Sequence, residues 1–332
     1  MIVKYLVEEE YPQWDAFVET SPQGFIFDYS WWANVLTKGD FRICALFDDD
    51  SCIIAGIVLP YFSTGKIMTP VLTQSMGFLF EDFSKQNNIR LQKQVTKQKE
   101  YSGLIWEYIA NDIKHYFNIQ FNYHYNYWSP LYWKGCEQTT RYTYIIDYAN
   151  YIPEEEFKRF SKGHKWILNR VEKKSDLKVV ETEDVDEYLR ESVKTYERQG
   201  SKRVYTDEMV RALYAELKAR GMAKIFKCVD SDGKVHGITF FIYDKREVYY
   251  WLGASDAELR DSGGHTYLVW YAIQYFADKV KTFNFGGSMI EAVEKNFKNF
   301  SSLPMPYYVI SYYRHPIWAQ VKRLAASVLK KV

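Results

Sequence analysis

The amino-acid sequence predicts an α/β (α+β) fold that is built twice, as two domains in tandem. The chain has 332 residues, and at roughly 100 to 200 residues per domain this length favours two domains, each large enough to bury a core. Both halves mix short strand-like runs with longer runs of helical spacing. The two halves also repeat one order of elements: a strand, two helices, three strands, a helix and further short elements. Such a repeat at slight residue identity predicts a degenerate internal duplication.

The second half shows this order most clearly. Leu177–Glu181 is predicted to be a strand, and Val185–Gln199 has helical spacing with acidic residues early and a basic residue late. Thr206 is a suitable N-cap for a second helix, which runs to Arg220 and is stopped by Gly221. These residues give the strand and the two helices that open the domain.

A three-strand meander is predicted next. Asp232 and Gly233 mark a hairpin turn between two apolar or alternating runs, and a third run covers Val248–Ala254. The helix that follows is predicted to be buried, with one face formed by Leu268, Tyr271, Ala272, Tyr275 and Phe276. The last elements are a strand at Thr282–Phe285, a helix at Ile290–Asn299 and a strand at Tyr307–Tyr313.

The first half repeats the order more faintly. Its predicted elements are a strand at Ile2–Val7, helices near Pro12–Val18 and Ser30–Leu36, a hairpin turning at Asp48–Ser51, a strand-like Ile67–Phe80, a helix at Ile89–Ile113, and strands at Ile119–Tyr125 and Thr143–Asp147. Aligning the two hairpins places Gly56 at the position of Gly237.

Composition and motifs exclude several classes of function. The formal net charge is +1, so no overall field attracts nucleic acid or an anionic membrane. The four cysteines lack CxxC spacing, the N-terminus lacks a signal-peptide pattern, and no apolar run reaches the roughly 18 residues that span a bilayer. HxxH, HExxH, GxSxG and P-loop patterns are absent as well. We therefore expect a cytoplasmic protein with reduced thiols and no metal site.

The order of elements resembles that of the GNAT acyltransferase fold, in which a mixed, mostly antiparallel sheet is flanked by helices. Two segments make the resemblance more specific. "FNFGGSMIEAVEKNFKNF", Phe283 to Phe300, resembles the C-terminal signature of the Fem-type aminoacyltransferases and the wider FemAB-like group. "FSKGHKWILNRVEKKSDLKV", Phe160 to Val179, resembles the basic stretch that leads into the second domain of that group. The resemblance implies tandem GNAT-like domains.

The chain is expected to consist of three parts. Residues 1–150 are expected to form a degenerate N-terminal GNAT-like domain, and residues 151–314 a C-terminal GNAT-like domain that carries the active site. Residues 315–332 have the pattern of a basic amphipathic helix. Such a helix either lies on the inner face of a membrane or packs against the body of the protein.

The donor is expected to bind at the loop before the buried helix. In GNAT proteins this loop holds the pyrophosphate of coenzyme A through backbone N–H groups and the positive end of the helix. The loop here is "LRDSGGHTYL", so Arg260, Gly263 and Gly264 are the expected donor-binding residues. His265 replaces the last small residue of the family pattern, which suits the Fem-type branch with its aminoacyl-tRNA donor. Acyl-CoA and aminoacyl-tRNA both stay open, as does a simple turn before a helix.

A second set of residues is expected to bind the acceptor. Gly286 and Gly287 end a strand, where bare backbone either admits a ligand or forms a sharp turn. By resemblance, Phe297 and Lys298 border the acceptor and donor channels, and Lys298 supplies positive charge near the reacting carbonyl. The expected acceptor-binding residues are Lys165, Arg170, Tyr196, Arg198, Tyr250, Gly286, Gly287 and Phe297.

Two of these acceptor residues come from a basic stretch. Residues 158–174 contain seven basic side chains against the single acidic Glu172, which is enough for a phosphate-binding patch. By resemblance, the stretch helps to hold a nucleotide-sugar or lipid-linked acceptor, with Lys165 and Arg170 at its phosphates. The alternative is a solvated helix face.

The general base is not singled out by the sequence. Glu294, Asp256, His265 and Tyr250 are all expected near the cleft, and each is able to receive a proton directly or through water. We expect the catalytic set to be Lys298, Glu294 and His265.

The whole pattern predicts a FemAB-like acyl- or aminoacyltransferase that modifies an amine or hydroxyl of a cell-envelope, polysaccharide or peptidoglycan precursor. One alternative is an acyl-CoA-dependent N- or O-acetyltransferase that acts on a nucleotide-linked sugar. Another is a non-catalytic module that binds a glycan or peptide in an aromatic cleft. The expected partners are a small-molecule, lipid-linked or nucleotide-linked precursor and tRNA, and the oligomeric state is left open.

Overall fold

The structure is a computed structural model that describes residues 1–86, 89–198, 202–256, 258–287, 289 and 291–315. With those gaps, the chain forms two compact units. Unit one contains residues 1–141 and 306–315, and unit two contains residues 142–305. The predicted amphipathic helix at 315–332 lies outside the described residues except for its first position.

Unit one is built from helices around short antiparallel and parallel strand pairs. Its elements are β1 (Ile2–Tyr5), α1 (Tyr11–Thr20), α2 (Ser30–Thr37), β2 (Phe41–Phe47), β3 (Ile53–Pro60), β4 (Lys66–Met68), β5 (Leu79–Phe80), α3 (Leu91–Ile109), β6 (Tyr116–Gln120) and α4 (Ser129–Tyr132). One antiparallel sheet has the order β1-β2-β3-β5, while β4 pairs in parallel with β6.

The predicted long strand at Ile67–Phe80 is two short strands instead. Leu72 and Gly77 have φ angles of 64° and 142°, in the left-handed region that interrupts extended backbone. The predicted hairpin, by contrast, is present as β2 and β3.

Unit two carries a larger sheet with helices beside it. Its elements are the part of β7 (Glu137–Asp147) from residue 142, then α5 (Pro153–Arg159), α6 (Lys162–Lys174), β8 (Lys178–Thr182), α7 (Val185–Arg198), α8 (Asp207–Ala219), β9 (Ala223–Val229), β10 (Val235–Tyr243), β11 (Glu247–Ala254), α9 (Gly264–Phe276), β12 (Thr282–Gly287) and α10 (Glu291–Lys298). The strand order is β7-β12-β11-β10-β9-β8, and β11–β12 is the parallel pair among antiparallel ones. The mixed, mostly antiparallel sheet and the β9–β11 meander are confirmed.

The last strand of the described chain belongs mostly to unit one. β13 (Leu303–Tyr313) pairs antiparallel with β6, from Val309 opposite Gln120 to Tyr313 opposite Tyr116. The prediction from the sequence differs, since it assigns residues 306–314 to the second domain and sets the boundary at residue 150. Element order alone does not show that the final strand finds its partner in an earlier part of the chain.

The buried face of α9 is rotated by about one residue from the predicted one. Leu268, Ala272 and Phe276 are buried as expected, but Val269 and Ile273 complete that face. Tyr271, predicted to be buried, is 37% exposed. Because α9 is apolar nearly all round, periodicity alone did not fix the direction of this face.

Gly56 and Gly237, the glycines that align between the two hairpins, each leave room for a residue of a neighbouring helix. A Cβ on Gly56 would lie 2.4 Å from the ring of the fully buried Trp14, and one on Gly237 would lie 3.2 Å from Cα of His265. Glycine at these positions therefore lets α1 in unit one, and α9 in unit two, approach a strand closely.

Within the described ranges, none of the helices has the length and apolar character needed to cross a bilayer.

Candidate active site

The candidate site lies where two parallel strands of unit two separate. β11 and β12 are paired only through Glu247–Thr282, Val248–Phe283 and Tyr249–Asn284, although β11 continues to Ala254. Opposite this point, the register of β10 against β11 shifts between Phe240 and Phe241, leaving Trp251 as an extra residue. We call the gap formed by residues 250–254 of β11 and 285–287 of β12 the wedge. Its backbone groups are not used in pairing β11 with β12.

A buried polar network closes the narrow end of the wedge. The Asn284 side chain donates to Glu247 Oε1 at 2.5 Å and accepts from the Thr143 hydroxyl at 2.5 Å. Tyr249 donates to the other Glu247 oxygen at 3.2 Å, and all four residues are 2% exposed or less. Interior polar groups with this many partners hold a single arrangement. Thr143, Glu247 and Asn284 were not predicted as part of the site, and the sequence signal for Asn284 was a polar residue between two buried phenylalanines.

The same asparagine sets the turn at the end of β12. The amide N–H of Gly286 donates to Asn284 Oδ1 at 2.8 Å, and Gly286 has a φ of 78°, which favours glycine. The register of β12 against β7 shifts between Asn284 and Gly287. Gly286 and Gly287, predicted to bind the acceptor, therefore lie at the wedge, where Gly286 also makes a turn.

Aromatic rings fill the inner part of the wedge. Phe297 of α10 is 7% exposed and has ring centroids 5.2 Å from Phe285, 6.1 Å from Tyr144 and 6.2 Å from Tyr250. The ring of Tyr250 extends along its own strand, since a Cβ on Gly253 would lie 1.8 Å from the Tyr250 hydroxyl oxygen. Phe297 and Tyr250, both predicted to bind the acceptor, are thus in contact, and Phe297 is a packed core residue.

Tyr250 and His265 form a hydrogen-bonded pair beside these rings. The Tyr250 hydroxyl lies 2.9 Å from His265 Nε2. Burial lowers the pKa of His265 to about 4, helped by the nearby His164, and burial raises the pKa of Tyr250 to about 12. At neutral pH the pair is therefore a neutral imidazole and a protonated phenol. Such a pair offers one hydroxyl proton to a developing oxyanion when His265 donates to the phenol oxygen.

Lys298 and Glu294 form an exposed ion pair on α10. Lys298 Nζ lies 3.4 Å from Glu294 Oε2, with side chains 54% and 27% exposed. The Tyr144 pKa is raised by burial, then by the charge of Glu294 and a hydrogen bond to it. Of the three predicted catalytic residues, Lys298 and Glu294 thus contact each other, whereas His265 contacts Tyr250.

The predicted donor loop is packed under helix α6. Gly263 has a φ of 84°, and a Cβ on it would lie 2.5 Å from Ile167 of α6. A Cβ on Gly264 would lie 2.6 Å from Cβ of His236. Arg260 is exposed beside them. Both glycines are therefore required by packing, and a role in binding a donor stays a prediction.

Arg170 is used by the protein itself. Its Nη2 donates to the carbonyl oxygen of Ser262 at 2.8 Å and also to that of Asp261, while its guanidinium carbon lies 4.7 Å from the ring centre of the exposed Trp166. Arg170 thus ties α6 to the donor loop, a role that the basic pattern did not reveal.

The other predicted acceptor residues are more scattered. Lys165 Nζ donates to the carbonyl oxygen of Lys158 at 2.9 Å, and Tyr196 makes an edge contact with Tyr205 at 6.2 Å. Arg198 ends α7, and its side chain lies outside what the structure describes.

In the described part of the chain no cluster of three or more His, Cys, Asp or Glu side chains is arranged to hold a metal.

Comparison with known proteins supports the acyltransferase fold. Residues 162–299 match the family model described as "Acetyltransferase (GNAT) domain". No curated protein is significantly similar in sequence. The structure of FemX is similar over 97% of this chain and 99% of its own, with a TM-score of 0.66 at 14% identity.

Two further structures are similar in fold over nearly the whole chain. The C-terminal domain of a putative lysylphosphatidylglycerol synthetase from Agrobacterium fabrum gives a TM-score of 0.56 at 13% identity, over 97% of this chain and 96% of its own. A tandem GNAT protein from the clavulanic acid biosynthesis pathway gives 0.53 at 12% identity, over 95% and 99%. The tandem GNAT-like fold predicted from the sequence is confirmed.

Proposed function

Starting from a GNAT-type acyltransferase domain in residues 162–299, we propose that this protein is a FemAB-like acyl- or aminoacyltransferase with its active site at the wedge of unit two. The observation that carries the proposal is the Tyr250–His265 pair placed where β11 and β12 separate. Acyl transfer requires a bound donor, a positioned acceptor and a donor of hydrogen bonds to the carbonyl oxygen. The wedge offers, at one place, backbone that is not used in pairing β11 with β12 and a protonated phenol.

In the proposed reaction, an amine or hydroxyl of the acceptor attacks the acyl carbonyl carbon. The new bond forms while the carbonyl oxygen takes up negative charge, which the Tyr250 hydroxyl stabilises with a hydrogen bond. The bond from the carbonyl carbon to the leaving oxygen or sulfur then breaks, and the proton lost by the acceptor passes to the leaving group through water. Lys298 adds positive charge beside the site, held by Glu294.

The packing of α6 favours an ester donor over coenzyme A. Ile167 fills the space in front of Gly263, and Arg170 occupies the carbonyl oxygens of residues 261 and 262. A pyrophosphate approaching these backbone groups would have to displace α6. An aminoacyl ester such as aminoacyl-tRNA needs no pyrophosphate at this loop, so it is the donor that we propose first.

Acyl-CoA is the second candidate donor, because one observation favours it. Arg260 is exposed at the start of the loop, and Gly264 begins a helix of 13 residues whose positive end suits an anion. For the acceptor we propose a cell-envelope precursor, supported by the similarity in fold to FemX and to a putative lysylphosphatidylglycerol synthetase.

The test is the thermal midpoint of the full chain in acetyl-CoA, longer acyl-CoAs and UDP-linked sugars, followed by transfer assays with aminoacyl-tRNA. A ligand at 100 times its Kd adds about 2.7 kcal/mol to the free energy of unfolding. A shift with acyl-CoA that Arg260→Ala removes would replace the ester donor by coenzyme A. Transfer from aminoacyl-tRNA that Lys298→Ala slows without changing the midpoint would support the proposal. A chain that binds a glycan but transfers nothing from either donor would be a binding module.

A further inference from the structure

A cleft of about 590 Å³ opens on the surface of unit one. It is lined by the end of β1, the start of α1, the outer face of α2 and the start of β2, and its side chains include Tyr5, Glu8, Tyr11, Trp31, Asn34 and Arg42. Its volume lies within the range of about 300 to 1,000 Å³ that is usual for small-molecule sites. None of these residues takes part in the site of unit two.

The cleft exists because β1 is shorter than β2. The pairing of the two strands ends at Tyr5 opposite Cys44, and one further bond joins the amide of Leu6 to the carbonyl oxygen of Ile43. The chain then turns away, so the first residues of β2 are paired with β3 on one side and have no strand beside them on the β1 side. Arg42 is exposed at this uncovered end.

Aromatic rings form the walls and are held in place by other rings. Tyr5 makes an edge contact with Phe62 at 5.2 Å, and Tyr11 packs against Phe41 at 5.3 Å. Trp31, half-buried on α2, forms a third wall. Walls that are already ordered lower the entropic cost of binding a ligand between them.

Arg42 gives the cleft a cation that forms no ion pair with a described residue, although the Glu8 carboxylate lines the same cleft. Its guanidinium carbon lies 5.8 Å from the centre of the Phe62 ring, and Nη1 donates to the carbonyl oxygen of Phe41 at 3.3 Å. Among the residues that the structure describes, no carboxylate lies within 4 Å of Arg42. A neighbouring cleft of about 360 Å³ shares Arg42 and adds one basic and one acidic residue, Lys38 and Asp40. A guanidinium is suited to bidentate binding of carboxylate or phosphate.

We propose that this cleft binds a saccharide that carries a phosphate or carboxylate group. The sugar ring packs its C–H face on Tyr11 and Trp31, and the anionic group binds Arg42. The amide of Asn34 and the carboxylate of Glu8 supply a donor and acceptors for sugar hydroxyls. The inference concerns unit one alone, so it stands or falls independently of the transfer reaction proposed for unit two.

Isothermal titration calorimetry of the full chain tests the proposal, with glucose 1-phosphate, glucuronate, glucose and inorganic phosphate as probes. We expect at least one of the two anionic sugars to bind, and Arg42→Gln to weaken that binding at least tenfold. Arg90→Gln, an exposed arginine of unit one outside the cleft, is the matched control and is expected to bind like the wild type. Asn34→Ala is expected to weaken the sugar phosphate but not inorganic phosphate.

Three results would overturn the proposal. They are equal affinity in wild type and Arg42→Gln, inorganic phosphate binding as tightly as glucose 1-phosphate, and no binding of either anionic sugar to the wild type. Since Arg42 and Asn34 are both exposed, their variants are expected to fold, and an unchanged thermal midpoint verifies this. Glucose 1-phosphate and glucuronate separate a phosphorylated from a carboxylated ligand, and binding of either supports the proposal.

Discussion

The hydroxyl of Tyr250 and Nε2 of His265 lie 2.9 Å apart. Tyr250 belongs to β11 at the point where this strand separates from β12, and His265 belongs to α9, the next α-helix along the chain. The histidine stands where the GNAT pattern has a small residue. Its imidazole therefore occupies space that a small residue would leave open, and it gives the tyrosine a fixed partner.

Replacing Tyr250 by phenylalanine is expected to slow acyl transfer about 100-fold, mainly in kcat. The change removes the hydroxyl that stabilises the carbonyl oxygen and keeps the ring that packs on Phe297. Tyr271→Phe, on the exposed side of α9, is the control and should keep the wild-type rate. A Tyr250→Phe enzyme with unchanged kcat would remove the phenol from the mechanism.

The stability of the protein is expected to depend on pH between about 6.5 and 4 through His265. Its pKa is lowered in the folded state to about 4 by burial and then by His164, so in this window the unfolded chain binds a proton that the folded chain does not. The free energy of unfolding should therefore fall as the pH falls, with a contribution approaching 1.4 kcal/mol per pH unit, estimated as about one proton.

Urea denaturation across that pH range measures this slope. His265→Gln should flatten it, while Asn169→Ala, which changes an exposed residue without a titrating group, should leave it unchanged. Burial also lowers the pKa of His164 and adds a slope of the same sign. An identical slope in wild type and His265→Gln would show that the imidazole is hydrated in the folded protein.

Asn284→Ala is expected to lower the free energy of unfolding by about 2 to 4 kcal/mol. The change removes the hydrogen bond that Asn284 donates to Glu247 and the two that it accepts, from the Thr143 hydroxyl and the Gly286 amide, in a region without bulk water. Urea denaturation gives the value, and Asn169→Ala on the exposed face of α6 should change it by less than about 0.5 kcal/mol. A loss below about 1 kcal/mol for Asn284→Ala would mean that a water molecule takes the place of the amide group and restores its hydrogen bonds.

Arg170→Ala is expected to loosen the loop at 260–264. Hydrogen exchange of its amides should become about 5 to 30 times faster, because the loop loses two bonds to a guanidinium worth roughly 1 to 2 kcal/mol. Lys173→Ala removes a nearby exposed charge and should leave exchange unchanged. Unchanged exchange in Arg170→Ala, together with weaker acceptor binding, would restore the role in phosphate binding predicted from the basic pattern.

The order of strands and helices in unit two was predictable because its signals are local. Thr206 caps α8 through a hydrogen bond to the Met209 amide, and the turn at Asp232–Gly233 joins β9 to β10. Gly286 was singled out by its residue type, and it does adopt a positive φ. Such features depend on a few neighbouring residues, which the sequence displays directly.

The buried hydrogen-bond network around Asn284 was not predictable in the same way. Thr143 and Asn284 meet from strands 141 positions apart in sequence, and nothing local marks either as a partner of the other. Arg170 was noticed for its charge, but its partners are backbone carbonyl oxygens, which no residue type reveals. Contacts of this kind are decided by sheet pairing and helix packing, and pattern reading reaches them only through the fold.

The pairing of β13 with β6 has a consequence during synthesis on the ribosome. Val309 pairs with Gln120, so nearly 190 further residues must be polymerised after β6 before its partner strand exists. At about 5 to 20 residues per second, this delay is about 10 to 40 s. Unit two is complete in the nascent chain before the unit that begins the polypeptide. Until β13 is made, β6 has an unpaired edge, which a chaperone is able to protect and at which nascent chains are able to pair wrongly.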